Sequence, residues 1–187
     1  MNIKRNSEIL EVTITDKIMR LNLNDPSNHN ALSEKMIDFL YKNLKKGAAD
    51  KSVRVIIISG EGSIFSSGHD LKELKLARKT PDKGKKFFKK ILDKCSAMMQ
   101  LIVNNPKPVI AEVGGIATAA GCQLVASCDL AYSTKDALFA TPGVNIGLFC
   151  STPMVAVSRK INRKPMMKML LTGEPIKANY AKEIGLI

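Results

Sequence analysis

Two apolar runs, each ending in a glycine-bearing loop, decide most of what this chain is able to fold into. The first extends from Val53 to Ile58, β-branched apart from Arg54, and stops at Gly60 and Gly62. Such a run reads as a strand buried on both faces, which needs helices packed on each side. The second, Val109 to Val113, opens after Lys107-Pro108 and passes straight into Gly114-Gly115. Helical patterns separate the two, so the class is α/β with a largely parallel sheet. Ligands of such sheets bind in loops beyond the strands' carboxyl ends. Here those loops are Phe65 to Glu73, FSSGHDLKE, and Gly114 to Asp129, GGIATAAGCQLVASCD.

The second loop reads as a tight glycine turn followed by a helix starting at Thr118. A helix start leaves N–H groups without intrahelical partners, and its dipole favours negative charge. Ala119, Ala120 and Gly121 are small enough for a ligand oxygen to come close. Two donor loops following buried strands suggest that one carbonyl is polarised between them.

Elsewhere the pattern fills in around these loops. Ile9 to Ile14 and Ile18 to Leu23 alternate about Thr15-Asp16-Lys17, which predicts an antiparallel pair. Ser33 is placed to cap a helix whose stripe is Met36, Ile37, Leu40, Tyr41 and Leu44. Asp70 to Ala77 reads as a short helix. Lys83 to Val103 reads as a long amphipathic one with Phe88, Ile91, Leu92, Cys95, Met98, Met99 and Ile102 inward. Leu130 to Tyr132 reads as a strand and Phe139 to Pro142 as extended. Ser151–Arg159, Lys164–Leu171 and Ala178–Glu183 read as helices. At 187 residues and 45% hydrophobic content, one domain with a sizeable core is expected.

Composition removes several functions. No apolar run is long enough to span a bilayer, and the first residues lack an apolar signal core. Cys95, Cys122, Cys128 and Cys150 form no C-x-x-C pair, and the histidines are His29 and His69, so no metal site is expected. Three of these cysteines fall in apolar patterns, which fits a reducing compartment. The formal charge of +12 owes much to six lysines between Lys83 and Lys94. A solvated helix face accounts for them, and so does attraction to a polyanion such as nucleic acid, an anionic membrane or a phosphorylated cofactor. No nucleic-acid-binding signature accompanies them, so neither a nucleic-acid nor a membrane partner is expected.

Several ordered motifs carry a resemblance. They are Asn30-Ala31-Leu32, Val55 to Gly60, Phe65 to Leu71, Lys107 to Ala111, Gly114 to Asp129 and Phe139 to Pro142. In this order and spacing the chain resembles the enoyl-CoA hydratase/isomerase (crotonase) superfamily over nearly its whole length. The resemblance implies a crotonase-like spiral of ββα units, a single core domain over 1–187, and acyl-CoA thioesters as ligands in fatty-acid metabolism. Coenzyme A would enter as part of the substrate, with no separate cofactor. The thioester oxygen would rest between the backbone N–H groups of His69 and Ala120. CoA would lie near His29, Asn30, Ala31, Gly68, Asp70 and Leu71, although His29 equally suits a plain surface loop and Asp70 a helix cap.

The same resemblance exposes two departures. Its hydratases use two glutamates to position and activate water, and the matching positions here are Gln123 and Gly143. Gln123 can hold a water but cannot take its proton, and Gly143 has no side chain. General acid–base catalysis is worth about 10²–10⁴-fold, so ordinary hydration is expected to be weak or absent. Asn145 and Cys150 remain as acyl-pocket or acid/base positions, Cys150 either a nucleophile or a packing residue. His69 is the one group near the loops that titrates near neutrality. The second departure is length: the chain stops at Ile187, where further helices that cover the acyl site and build trimers would begin. A homotrimer or hexamer is therefore implied by resemblance and put in question by length. Two readings follow, an acyl-CoA enzyme of weakened or non-hydratase activity and a non-catalytic module that binds acyl-CoA or a partner. A bacterial cytosol, or the mitochondrial matrix of a eukaryote, is the expected location.

Overall fold

The computed structural model describes residues 3–7 and 9–187, with side chains from Ile9 onward. Strands β1 (Ile3–Ser7), β2 (Leu10–Thr15) and β3 (Ile18–Leu23) form an antiparallel meander. The β2–β3 pairing is the one the alternating pattern predicts, and Asp16 and Lys17 make its turn at positive φ. Beyond β3 the chain repeats one motif: a long strand, a short strand, then helix. β4 (Val55–Gly60), β5 (Ile64–Ser66) and helices α2 (Leu71–Ala77) and α3 (Lys85–Val103) make the first turn, following helix α1 (Glu34–Ala49). β6 (Val109–Val113), β7 (Ile116–Thr118) and α4 (Ala120–Ser127) make the second. β8 (Leu130–Ser133), β9 (Leu138–Ala140) and α5 (Ser151–Val157) make the third, followed by α6 (Arg163–Thr172), β10 (Ile176–Lys177) and α7 (Ala178–Glu183).

The long strands assemble into one sheet, ordered β1-β2-β3-β4-β6-β8 and parallel from β3 onward. The short strands stack into a second, β10-β9-β7-β5, parallel except where β10 joins β9. This is the ββα spiral that the resemblance implies. Short strands of two or three residues carry too little periodicity to be read from sequence, so the second sheet went unseen there.

Helix α1 starts where Ser33 accepts the Met36 N–H at 3.2 Å. It buries Met36, Ile37, Leu40 and Leu44, each worth about 2 kcal/mol of apolar transfer. Tyr41 is exposed instead, because it falls at the edge of that arc. On α3 the inward residues are Ile91, Cys95, Met98, Met99 and Ile102, whereas Leu92 lies at the rim and is 45% exposed. Phe87 and Phe88 are half-buried, with Lys90 and Arg78 over their rings. Glu34 ties α1 to α3 through Lys90 and Lys94, at 2.7 and 2.8 Å, and these ammonium groups hold its carboxyl below the usual range. The strand expected at Val53–Ile58 runs from Val55 to Gly60, with alternate residues only half-buried, because one face lies against the core and the other is partly open.

The helix expected from Thr118 begins at Ala120. Thr118 ends β7, and Ala119 makes the turn at φ 50°, ψ −121°. That backbone costs alanine of order 1–3 kcal/mol. It is anchored by the Ala119 N–H donating to the Ala140 carbonyl at 3.0 Å.

Candidate functional site

The two loops singled out in the sequence meet at Gly68 and Ala120. Gly68 has φ +87°, and a Cβ there would sit 2.8 Å from the Ala120 nitrogen and 3.0 Å from the Ala119 Cβ. A bare glycine with left-handed backbone is what permits this approach. The Thr118 hydroxyl ties the loops again by donating to the Ser67 carbonyl at 3.1 Å. Leu32 forms a parallel bridge with His69, its N–H donating to the Gly68 carbonyl at 2.7 Å. That bridge uses the neighbours of His69 and leaves its own N–H free on the other side of the strand. Ala120, as the first residue of α4, has no intrahelical partner for its N–H. Neither N–H has an acceptor among the described residues. No acidic residue occupies the first turn of α4, so its dipole is unopposed there.

On the same loops and in the turn after β9 are buried polar atoms without a hydrogen-bond partner: both ring nitrogens of His69, Gln123 Oε1 and Thr141 Oγ1. Burial pushes the His69 pKa down, against a smaller opposing pull from the Leu32 backbone, and so favours the neutral ring. The unfolded chain, with its histidine near 6.5, then binds a proton that the fold resists. Stability is expected to fall as pH drops below about 6.5, and His69→Gln to flatten that slope, as read by urea unfolding at about pH 7.5 and about pH 5.5. Thr141 marks the end of β9 and was visible in the sequence only as a motif landmark. Its orphan hydroxyl has no sequence signal.

The two glutamate positions fare differently. Gln123 stands one turn into α4, 8% exposed. Gly143 lies in a 3-10 turn, Pro142–Ile146, and its N–H donates to Cys150 Sγ at 3.2 Å. A Cβ on Gly143 would sit 2.8 Å from that sulfur and 2.8 Å from the Leu148 carbonyl. The room for a second carboxylate is therefore filled. Cys150 precedes α5, and burial raises its pKa, as it does for Cys95, Cys122 and Cys128, each of these three pushed up to about 12. A raised pKa lowers the thiolate fraction on which nucleophilic attack depends. Asn145 has its Oδ1 2.9 Å from where a Gly173 Cβ would stand, at the end of α6.

The expected CoA positions line the back of the first loop. Asn30 is buried and gives its side chain to the backbone, donating to the Glu61 and Ile64 carbonyls at 2.9 and 2.6 Å and accepting from Asp25 at 2.8 Å. Its amide is a brace and is not free for a ligand. Ala31 is buried, and His29 is exposed with its carbonyl accepting the Ser67 N–H at 3.1 Å. Asp70 caps α2 by accepting from Lys72 and Glu73, at 2.8 and 3.3 Å, and also accepts from Asn28 at 2.8 Å. These three hydrogen bonds outweigh its desolvation, the largest single influence, and hold its pKa below the ordinary value. Leu71 is exposed. Among the described residues no cluster of three metal-ligating side chains occurs, and no helix is long and apolar enough to cross a membrane. Two open clefts lie elsewhere, one between α6, β10 and α7, the other on the polar face of the larger sheet.

A ββα spiral of this kind defines a crotonase-type fold, and residues 13–187 match the family Enoyl-CoA hydratase/isomerase. The chain belongs to that family. It is 53% identical over 170 residues to Enoyl-CoA hydratase domain-containing protein 3, mitochondrial, of Xenopus laevis, covering 91% of this chain and 56% of the relative. The human protein of the same name is 49% identical over 172 residues, 92% of this chain and 55% of the relative. The crystal structure of human enoyl-CoA hydratase domain-containing protein 3 superposes with TM-score 0.90 at 47% identity, covering 96% of this chain and 69% of that one. An enoyl-CoA hydratase of Mycobacterium smegmatis superposes with TM-score 0.91 at 46% identity, covering 97% and 69%. The chain thus spans little more than half the length of these two curated relatives.

Proposed function

We propose that this chain binds acyl-CoA thioesters with the carbonyl oxygen held between the N–H groups of His69 and Ala120, and does not hydrate enoyl thioesters by the two-carboxylate route. The observation that carries the reading is the close approach of the loop at Gly68 to the Ala120 nitrogen, with no acceptor for the His69 or Ala120 N–H among the described residues. A thioester oxygen gains negative charge as the adjacent carbon becomes enolate-like. Each fixed donor is worth about 3–4 kcal/mol when that charge develops. Gln123, Thr141 and neutral His69 then offer uncharged hydrogen-bonding groups beside the acyl chain, and none of them is a strong base. Membership of the enoyl-CoA hydratase/isomerase family supports acyl-CoA as the ligand and acyl-CoA metabolism as the setting. The mitochondrial names of the relatives support a mitochondrial location in a eukaryotic source, and assembly as a trimer or hexamer is what the family resemblance implies.

A second reading, a non-catalytic acyl-CoA-binding or partner-binding module, draws on the sulfur that fills the place of the second carboxylate. Calorimetric titration separates these readings from a site that is absent. Crotonyl-CoA is expected to bind at micromolar concentration and more tightly than free CoA, with no hydration above the buffer rate. Equal affinity for CoA and crotonyl-CoA would remove the thioester site. Turnover of any acyl-CoA that Ala120→Pro abolishes would remove the non-catalytic reading.

A further inference from the structure

Helix α2 turns Leu74 and Ala77 toward the core and carries Leu71, Lys72, Lys75 and Leu76 on its opposite face. The two outward leucines are 60% and 66% exposed. From residue 71 to residue 90 the chain has nine basic side chains, all exposed, against two acidic ones. Both acids are engaged internally. Glu73 accepts the Glu34 N–H at 3.0 Å, and Asp82 accepts from Gly84, Lys86 and Thr80 in the turn before α3. Lys89 and Lys90 are paired with Asp93 and Glu34, whereas Lys75, Lys79, Lys83 and Lys85 have no ion-pair partner among the described residues. This surface opens two residues beyond His69 in the chain.

The phosphates of a single nucleotide need a few of these cations and neither of the leucines. The surface therefore fits a larger anionic body. Apolar anchors and cations share one outward face here, the arrangement of a protein interface in which a charged rim surrounds apolar contacts. A helix lying in a membrane surface instead segregates an apolar face from a charged one, and the inward face of α2 is already buried in its own domain. We propose that the outward face of α2 and the start of α3 dock an acidic carrier protein that presents its acyl group as a thioester on a phosphopantetheine arm. The arm carries the same thioester as CoA, so the donor pair receives one chemistry from two sources. This inference rests on the thioester reading of His69 and Ala120.

The test compares crotonyl-CoA with a crotonyl-loaded acyl carrier protein by calorimetry, on wild type, on Leu76→Ser and on the combined variant Lys75→Glu, Lys79→Glu, Lys85→Glu. All four substituted side chains are exposed, and circular dichroism confirms that the variants fold. At low salt the loaded carrier is expected to bind about tenfold or more tighter than crotonyl-CoA, an advantage that shrinks with added salt. The triple variant is expected to abolish that advantage and Leu76→Ser to reduce it, with crotonyl-CoA affinity held within about twofold. A carrier that binds no tighter than crotonyl-CoA overturns the docking surface and leaves the thioester site standing. Equal loss of both ligands in the triple variant also overturns it, assigning the lysines to the nucleotide. Sedimentation with phosphatidylglycerol vesicles, without carrier binding, overturns it in favour of a lipid surface. If wild type binds neither thioester, the site reading falls together with it.

Discussion

Gly121→Ala is expected to lower stability by about 3 kcal/mol or more, or to prevent folding outright. The added Cβ would stand 2.2 Å from the Ser66 carbonyl oxygen and 2.8 Å from its carbon, both backbone atoms. Neither side has room to yield. Gly121 is held in the first turn of α4, and Ser66 ends β5 with its hydroxyl donating to the Asn30 carbonyl at 2.9 Å. Moving Ser66 would drag Gly68 and His69 with it, so thioester binding should fail in any fraction that folds. For a domain of this size the loss corresponds to a melting temperature lower by about 10 °C. Gly114→Ala is the control, since a Cβ there meets nothing within 4 Å, and it should leave melting nearly unchanged. Equal melting of the two variants in a thermal scan would contradict this view of how α4 seats on β5.

Gln123→Glu is the second large effect, and it grows with pH. The side chain is nearly buried, its oxygen has no partner, and the first turn of α4 contains no charge. A carboxyl placed there has its folded pKa raised above the unfolded value of about 4.3 by desolvation. Its stability is then fully retained below about pH 4.3 and lost as pH rises through the folded pKa, by about 1.4 kcal/mol for every pH unit that separates the folded value from the unfolded one. Near pH 8 the variant should be about 2–4 kcal/mol less stable than wild type, and near pH 4 close to it. Urea unfolding across that range reads the slope, and a pH-independent difference would mean that the site is wetter than its burial indicates. Nor should Gln123→Glu together with Gly143→Glu create a hydratase. The second glutamate would press on Cys150 Sγ and on the Leu148 carbonyl, and Cys150→Ala clears only the first.

The parts of this molecule that sequence revealed are those with strong local patterns. The β-branched run ending at Gly60, the alternation about Asp16-Lys17 and the stripe of α1 each bury a face that periodicity displays. The donor loops were legible because glycine and small residues mark where backbone must come close to backbone. The rest depends on contacts distant in sequence. β5, β7 and β9 are too short to show a period and exist because each pairs with its neighbour in the second sheet. The start of α4 moved two residues because β7 claimed Thr118. The side chain of Asn30, a residue that the resemblance places near CoA, braces the carbonyls of Glu61 and Ile64, 31 and 34 residues away in sequence. Cys150 filling the space at Gly143 was equally hidden, since a 3-10 turn and the loop after it bring together two residues seven positions apart.

The most direct test of the donor pair is the vibrational frequency of the thioester carbonyl itself. Crotonyl-CoA carrying a carbon-13 label at that carbonyl would be bound to wild type and to Ala120→Pro, and infrared difference spectra recorded for each. Proline suits the first position of a helix and replaces the N–H with a ring carbon, and circular dichroism checks that α4 stays intact beside the strained Ala119. In wild type the labelled band is expected to move to lower frequency than in buffer, as two hydrogen bonds draw electron density onto the oxygen, and Ala120→Pro should return it most of the way. A bound ligand whose carbonyl band sits at the buffer frequency in wild type would show that His69 and Ala120 do not hold the thioester.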